Sequence, residues 1–171
     1  MKAAGILLAI ALAVAVQTTI ARYVAGGTVA VDLVLVVVVY VALTSGSVAG
    51  LLTGTVAGLI QDSVATSTGL IGIGGLAKSF VGFVSGIIGT QFIVTQPLPR
   101  FLVFFFATVV HKAITLGLGV VLGQGSFGTP YAAVASEALG NAVVGVAAFQ
   151  LAELLPGAVE RRRMGRSRLR R

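Results

Sequence analysis

The sequence predicts an all-α membrane protein, a bundle of six transmembrane helices, and three observations carry that prediction. Hydrophobic residues make up 57% of the chain and charged residues 10%, with a mean hydropathy of +1.05. That composition leaves too little polar sequence to cover a soluble globule of 171 residues. Six apolar segments follow one another with only short polar breaks, and seven of the twelve basic residues are arginines between Arg161 and Arg171.

A helix needs roughly 20 apolar residues to cross the hydrocarbon core, within a working range of about 17 to 25. The segments run approximately over 3–20, 28–43, 48–60, 70–89, 98–122 and 130–155, and a basic tail occupies 158–171. The first follows Met1-Lys2 and has the outline of a signal peptide. Its apolar part is long, however, and no small-x-small cleavage site precedes Arg22, so it reads as a retained span. The second and third are short, but fused they would exceed any bilayer, and Thr44-Ser45-Gly46-Ser47 is suited to a tight turn between them. The fourth, fifth and sixth reach spanning length without help.

An even number of spans puts both termini on one side. With the termini cytoplasmic, Lys2, Arg100 and the tail arginines lie inside and only Arg22 lies outside, as the positive-inside rule requires. The loops over 62–69 and 123–129 are then extracytoplasmic, and neither has room for a soluble catalytic or receptor domain. The reading is one compact membrane domain with a basic tail.

Zero cysteines and a single histidine exclude thiol chemistry and a histidine metal cluster. No nucleophile-base pair stands at a useful spacing, so no catalytic residue, metal or cofactor is expected. What remains is a glycine ladder and a few ionisable groups. Gly46, Gly50, Gly54 and Gly58 recur every fourth residue and run into Gln61-Asp62. In lipid such a ladder lets helix backbones approach closely. It is either an internal packing seam for the short third span or a groove that receives a partner helix.

Counting depth at 1.5 Å per residue puts Lys78 and Glu137 at similar levels, as a candidate ion pair. His111 and Lys112 fall near the middle of the fifth span. Asn141 lies one turn from Glu137 on a stripe with Ala133 and Gly145. Lys78, His111, Lys112, Glu137 and Asn141 line a polar cavity or proton path, or else they are buried glue that fixes helix order. Asp32 and Asp62 come at the outer interface on this topology, hydrated or capping a helix N-terminus, with Asp62 also open to a partner contact. Glu153 and Glu160 read as solvated partners of the tail. Arg161, Arg162, Arg163, Arg166, Arg168, Arg170 and Arg171 have no interleaved aromatics and therefore lack the stacking half of a nucleic-acid site. They read as a topology anchor on anionic lipid.

Several segments in order resemble the bacterial rod shape-determining MreD family: Val31-Asp32-Leu33, Gly54-x-x-x-Gly58-x-x-Gln61-Asp62, Gly75-Leu76-Ala77-Lys78-Ser79-Phe80-Val81-Gly82 and Pro97-Leu98-Pro99-Arg100-Phe101-Leu102. Val31 and Thr68 depart from the family's usual proline and leucine, which concerns helix entry and loop shape. The resemblance implies a non-enzymatic scaffold or regulator of the elongasome in the bacterial inner membrane, acting on rod cell shape and side-wall peptidoglycan synthesis. It implies direct binding to MreC, within a machinery that includes RodA, a class B penicillin-binding transpeptidase and MreB. It also implies a fold similar to the six-helix substrate-binding subunits of energy-coupling-factor transporters. That similarity supplies the alternative, a membrane protein or transporter subunit that binds a small molecule or lipid.

Overall fold

The computed structural model describes residues 3–23, 31–64, 72–91, 96–123 and 131–168. These form six helices in chain order: α1 (Ala3–Tyr23), α2 (Leu33–Ser45), α3 (Ser47–Val64), α4 (Ile73–Gln91), α5 (Pro97–Val121) and α6 (Tyr131–Arg168). By length and composition, α4, α5 and the stretch Tyr131–Leu154 of α6 can each cross a membrane, and Ala4–Thr19 and Leu33–Ser45 are shorter apolar helices. The chain is a multi-pass membrane protein. In α3 the glycines, threonines, Gln61 and Asp62 dilute the hydropathy, so it reaches neither class.

α2 is the axis. Its sequence, LVLVVVVYVALTS, has no polar face, and Val34, Leu35, Val36, Val38, Val39, Val41 and Ala42 are all buried. A helix apolar on every side is kept from water by protein or by lipid, and here it is protein, since α2 packs against each of the other five helices. Ile10 and Ala13 of α1 close one side of it, with Val34, Val38 and Ala57. On the other side Leu35, Val36 and Val39 join Val81, Phe104, Ala107, Ala142 and Phe149. The turn expected at Gly46 is present: α2 ends at Ser45, α3 starts at Ser47, and Gly46 has φ +90°, a conformation that a side chain disfavours.

α3 and α4 form the closest pairing. A Cβ at Gly50 would collide with the Gly82 carbonyl, one at Gly54 with Lys78 and Ser79, and one at Gly58 with Gly75. From α4, a Cβ at Gly86 would strike Ser47. As the numbers rise along α3 they fall along α4, so the two helices are antiparallel with backbones in contact. Three members of the ladder, Gly50, Gly54 and Gly58, therefore face an internal seam, and the partner-groove face is occupied by α4. Gly46 serves the turn instead. α5 and α6 pair next most closely, Phe104 lying against the bare backbone at Gly145.

Candidate functional site

Five of the eight buried polar residues among those described, Asp32, Lys78, Thr108, His111 and Asn141, gather around the first residue before α2. Thirteen residues at 1.5 Å make α2 about 20 Å long, shorter than the roughly 30 Å hydrocarbon core. Its N-terminus is the end that lies inside the bundle: Asp32, its N-cap, is 7% exposed. Asp32 Oδ1 accepts from the Leu35 N–H at 3.0 Å, and the Asp32 N–H donates to Asn141 Oδ1 at 2.8 Å. Asn141 lies about 15 Å along α6 from Tyr131. The capping role expected of Asp32 is observed, whereas the hydrated interfacial position is not.

A carboxylate this far from water needs a counter-ion. Lys78 of α4 supplies it, with Nζ 2.9 Å from Asp32 Oδ2. The same ammonium lies 3.3 Å from His111 Nε2 of α5. An ammonium only donates, so the facing Nε2 accepts and the ring proton belongs on Nδ1. That nitrogen is buried without a hydrogen-bond partner. Asn141 Nδ2 donates to Thr108 Oγ1 at 3.0 Å, and Thr108 donates to the Phe104 carbonyl at 2.9 Å. Four helices, α2, α4, α5 and α6, thus meet at one clasp.

The candidate pair of Lys78 with Glu137 is corrected by these contacts. Lys78 pairs with Asp32, and Glu137 pairs with Lys112 at 2.9 Å on a more exposed edge between α5 and α6. The five interior residues divide into a cluster (Lys78, His111, Asn141) and this separate pair. A cavity of about 170 Å³ lies elsewhere, between α4 and α5, walled by Val81, Val84, Ile88, Leu102, Phe106 and Val110 over a floor of Ser85 and Ala107.

Asp62 ends the seam as a cap. Its Oδ2 accepts from the N–H groups of Gly72 at 2.9 Å, Gly74 at 3.0 Å and Gly75 at 3.3 Å, tying the end of α3 to the start of α4. Gln61 beside it is half-buried, with Oε1 unpartnered. At the opposite end of the bundle, Arg100 lies 4.4 Å over the Phe149 ring and pairs with Glu153 at 2.5 Å. Glu153 is thus a partner of α5, where a tail arginine was expected. Arg161, Arg162, Arg163, Arg166 and Arg168 ride on the continuation of α6, while Arg170, Arg171 and Thr68 lie outside the described residues.

Sequence reasoning missed Asp32 as an interior charge, and missed Thr108 altogether. It also missed the second glycine row, Gly75, Gly82 and Gly86, which was legible as a repeat of small residues on one face of α4.

Among the described residues, the charges of Asp32, Asp62, Lys78, Arg100, Lys112, Glu137 and Glu153 are engaged in internal pairs and caps of a helical membrane protein. The family model for the rod shape-determining protein MreD matches residues 3–154, nearly the whole chain, and the chain belongs to that family. No curated protein and no solved structure gave a match. Membership gives it a role in rod cell shape determination, as a non-catalytic component associated with the elongasome. The matched interval contains the seam, both aspartates and the clasp, and stops before the arginine tail.

Proposed function

We propose that the chain is a membrane scaffold of the elongasome that binds the transmembrane helix of MreC and thereby biases side-wall peptidoglycan synthesis. The observation that carries this reading is the family match over residues 3–154. In this reading all six helices are embedded in the inner membrane with both termini cytoplasmic, and the tail arginines hold anionic lipid heads. RodA, the transpeptidase and MreB are reached within the same complex.

The glycine ladder is no longer the docking face, because α4 fills it. The apolar cleft between α4 and α5 takes that role. Its walls follow two helices over about two turns each, and its small floor suits the side-chain row of a third helix. The native chain has no cysteine, so single cysteines can be placed freely. Leu102→Cys and Phe106→Cys are expected to cross-link to the MreC helix, with Leu52→Cys and Val56→Cys on the far side of α3 silent. Cross-linking from α3 alone would reject the cleft, and cross-linking from neither would reject direct binding.

The same cleft supports a second reading, binding of a lipid chain by a fold like that of the energy-coupling-factor substrate subunits. Its wall is apolar, which suits an acyl or isoprenoid chain better than a soluble vitamin. A thermal shift with isoprenoid lipid, absent with short-chain lipid, would favour it. No shift with any lipid would count against it.

A further inference from the structure

The clasp and the cleft are neighbours. Val81 follows Lys78 by one turn of α4, Ala107 precedes His111 by one turn of α5, and Val110 is adjacent to His111; all three line the cleft. The Lys78 to His111 contact therefore closes one end of the cleft, where α4 and α5 are otherwise joined through apolar side chains. Elsewhere the sides of the cleft are held independently: α4 by its glycine seam to α3, and α5 by Phe104 against Gly145 of α6. Among the described residues no comparable backbone contact spans the cleft, and the polar link is what draws α4 and α5 together at that end.

We propose that Asp32, Lys78 and His111 form a lock that sets the spacing of α4 and α5, and hence the shape of the cleft. Asp32 is the fixed post. Its backbone is held by Asn141 of α6 and its carboxylate by the α2 N-terminus, so Lys78 must come to it and brings α4 along. His111 then receives a second hydrogen of the same ammonium, and α5 is drawn to α4. Removing Asp32 leaves Lys78 buried without a counter-ion, and removing Lys78 leaves Asp32 with only the His111 ring, 3.8 Å away; either state relaxes by movement toward water. Removing both charges while keeping hydrogen-bonding amides relieves that drive. The lock is thus a positioning device for the cleft, and its bearing on partner binding rests on the scaffold reading above.

The test uses electron spin-label distances on the full chain in lipid nanodiscs, without any partner. Labels at Phe80→Cys and Val109→Cys, which flank the cleft without lining it, report the spacing of α4 and α5. Labels at Leu52→Cys and Leu76→Cys report the glycine seam. Lys78→Met and Asp32→Asn are each expected to broaden the α4 to α5 distribution about twofold and leave the seam pair unchanged, as expected for a local opening. Asp32→Asn combined with Lys78→Gln is expected to return it close to the parent width. The proposal is overturned if the single variants leave the distribution as it was, if the double variant is as broad as the singles, or if the seam pair broadens in step. Cross-linking of Phe106→Cys to the MreC helix is read separately. If the distances behave as expected while the parent chain gives no cross-link, the lock stands and the docking reading fails.

Discussion

α4 meets α3 on one side and α5 on the other, and it does so by opposite means. Toward α3 it presents Gly75, Gly82 and Gly86, and the backbones touch. Toward α5 it presents Val81, Val84 and Ile88, and the side chains hold the helices apart around a cavity. In lipid there is no hydrophobic drive to bring helices together, so close van der Waals contact and polar links must supply the attraction. The seam rests on the first along its length, with the Thr55 to Ser79 hydrogen bond and the Asp62 cap added to it, and leaves no room for change. On the cleft side, among the described residues, the second is supplied by the Lys78 to His111 contact. One helix thus has a fixed face and an adjustable one.

The largest expected effect comes from breaking the fixed face. Gly54→Ile drives a branched side chain into the Lys78 carbonyl and the Ser79 N–H, which are backbone and cannot swing away. The expected cost is about 3 kcal/mol or more, at the upper end for overpacking. The measurement is the yield of folded protein and its unfolding in mixed micelles. Gly58→Ile against Gly75 is expected to behave alike. A variant of either kind that folds normally but fails to bind MreC would return the ladder to a docking role.

Next in size is Asn141→Leu. It removes the acceptor of the Asp32 N–H and the donor to Thr108 at once, leaving buried polar groups unmade. The expected loss is about 1–3 kcal/mol. Asn141→Gln, longer by one methylene in a fully buried site, is expected to recover only part of it.

The contrast between the two faces also explains what could be read from the chain. The turn at Gly46, the seam character of Gly50, Gly54 and Gly58, and the interior position of Lys78, His111 and Asn141 follow from local spacing and composition. The pairing of charges did not. Depth counted from helix ends assumes that every helix begins at the membrane surface, and α2 does not: it is only about 20 Å long, so Asp32 starts far inside. Once Asp32 is misplaced, Lys78 is assigned to Glu137, the remaining acid at its level. Helix length, set by where the chain stops turning, was the missing quantity. Thr108 was invisible for a different reason, since a threonine in a span commonly bonds its own helix, as this one does through Phe104, and its second contact is tertiary.

A smaller effect is expected at the cap that finishes the seam. Asp62→Asn keeps an oxygen for the Gly72, Gly74 and Gly75 amides but loses the charge that favours the N-terminus of α4. Asp62→Ala loses both. The expected costs are about 0.5 kcal/mol and about 1 kcal/mol respectively. Hydrogen exchange at the first turn of α4 should register the difference, with Gly74 and Gly75 exchanging faster in the alanine variant and the centre of the seam unmoved.

The smallest effect on stability, and the most telling for the comparison, belongs to the adjustable face. Ser85→Ala changes the cleft floor by one hydroxyl and is expected to shift the unfolding free energy by less than about 0.5 kcal/mol, since no packed contact is lost. Ala107→Leu instead fills the cleft from α5. In a tight core that enlargement would cost about 1–3 kcal/mol; here the added atoms enter existing space, and the expected cost is under about 1 kcal/mol. If the scaffold reading is right, Ala107→Leu should nevertheless abolish cross-linking from Leu102→Cys to the MreC helix while the folded yield stays near the parent. A stable variant that still cross-links would mean that the cleft is only unfilled space beside α4, and that the partner meets the bundle on another face.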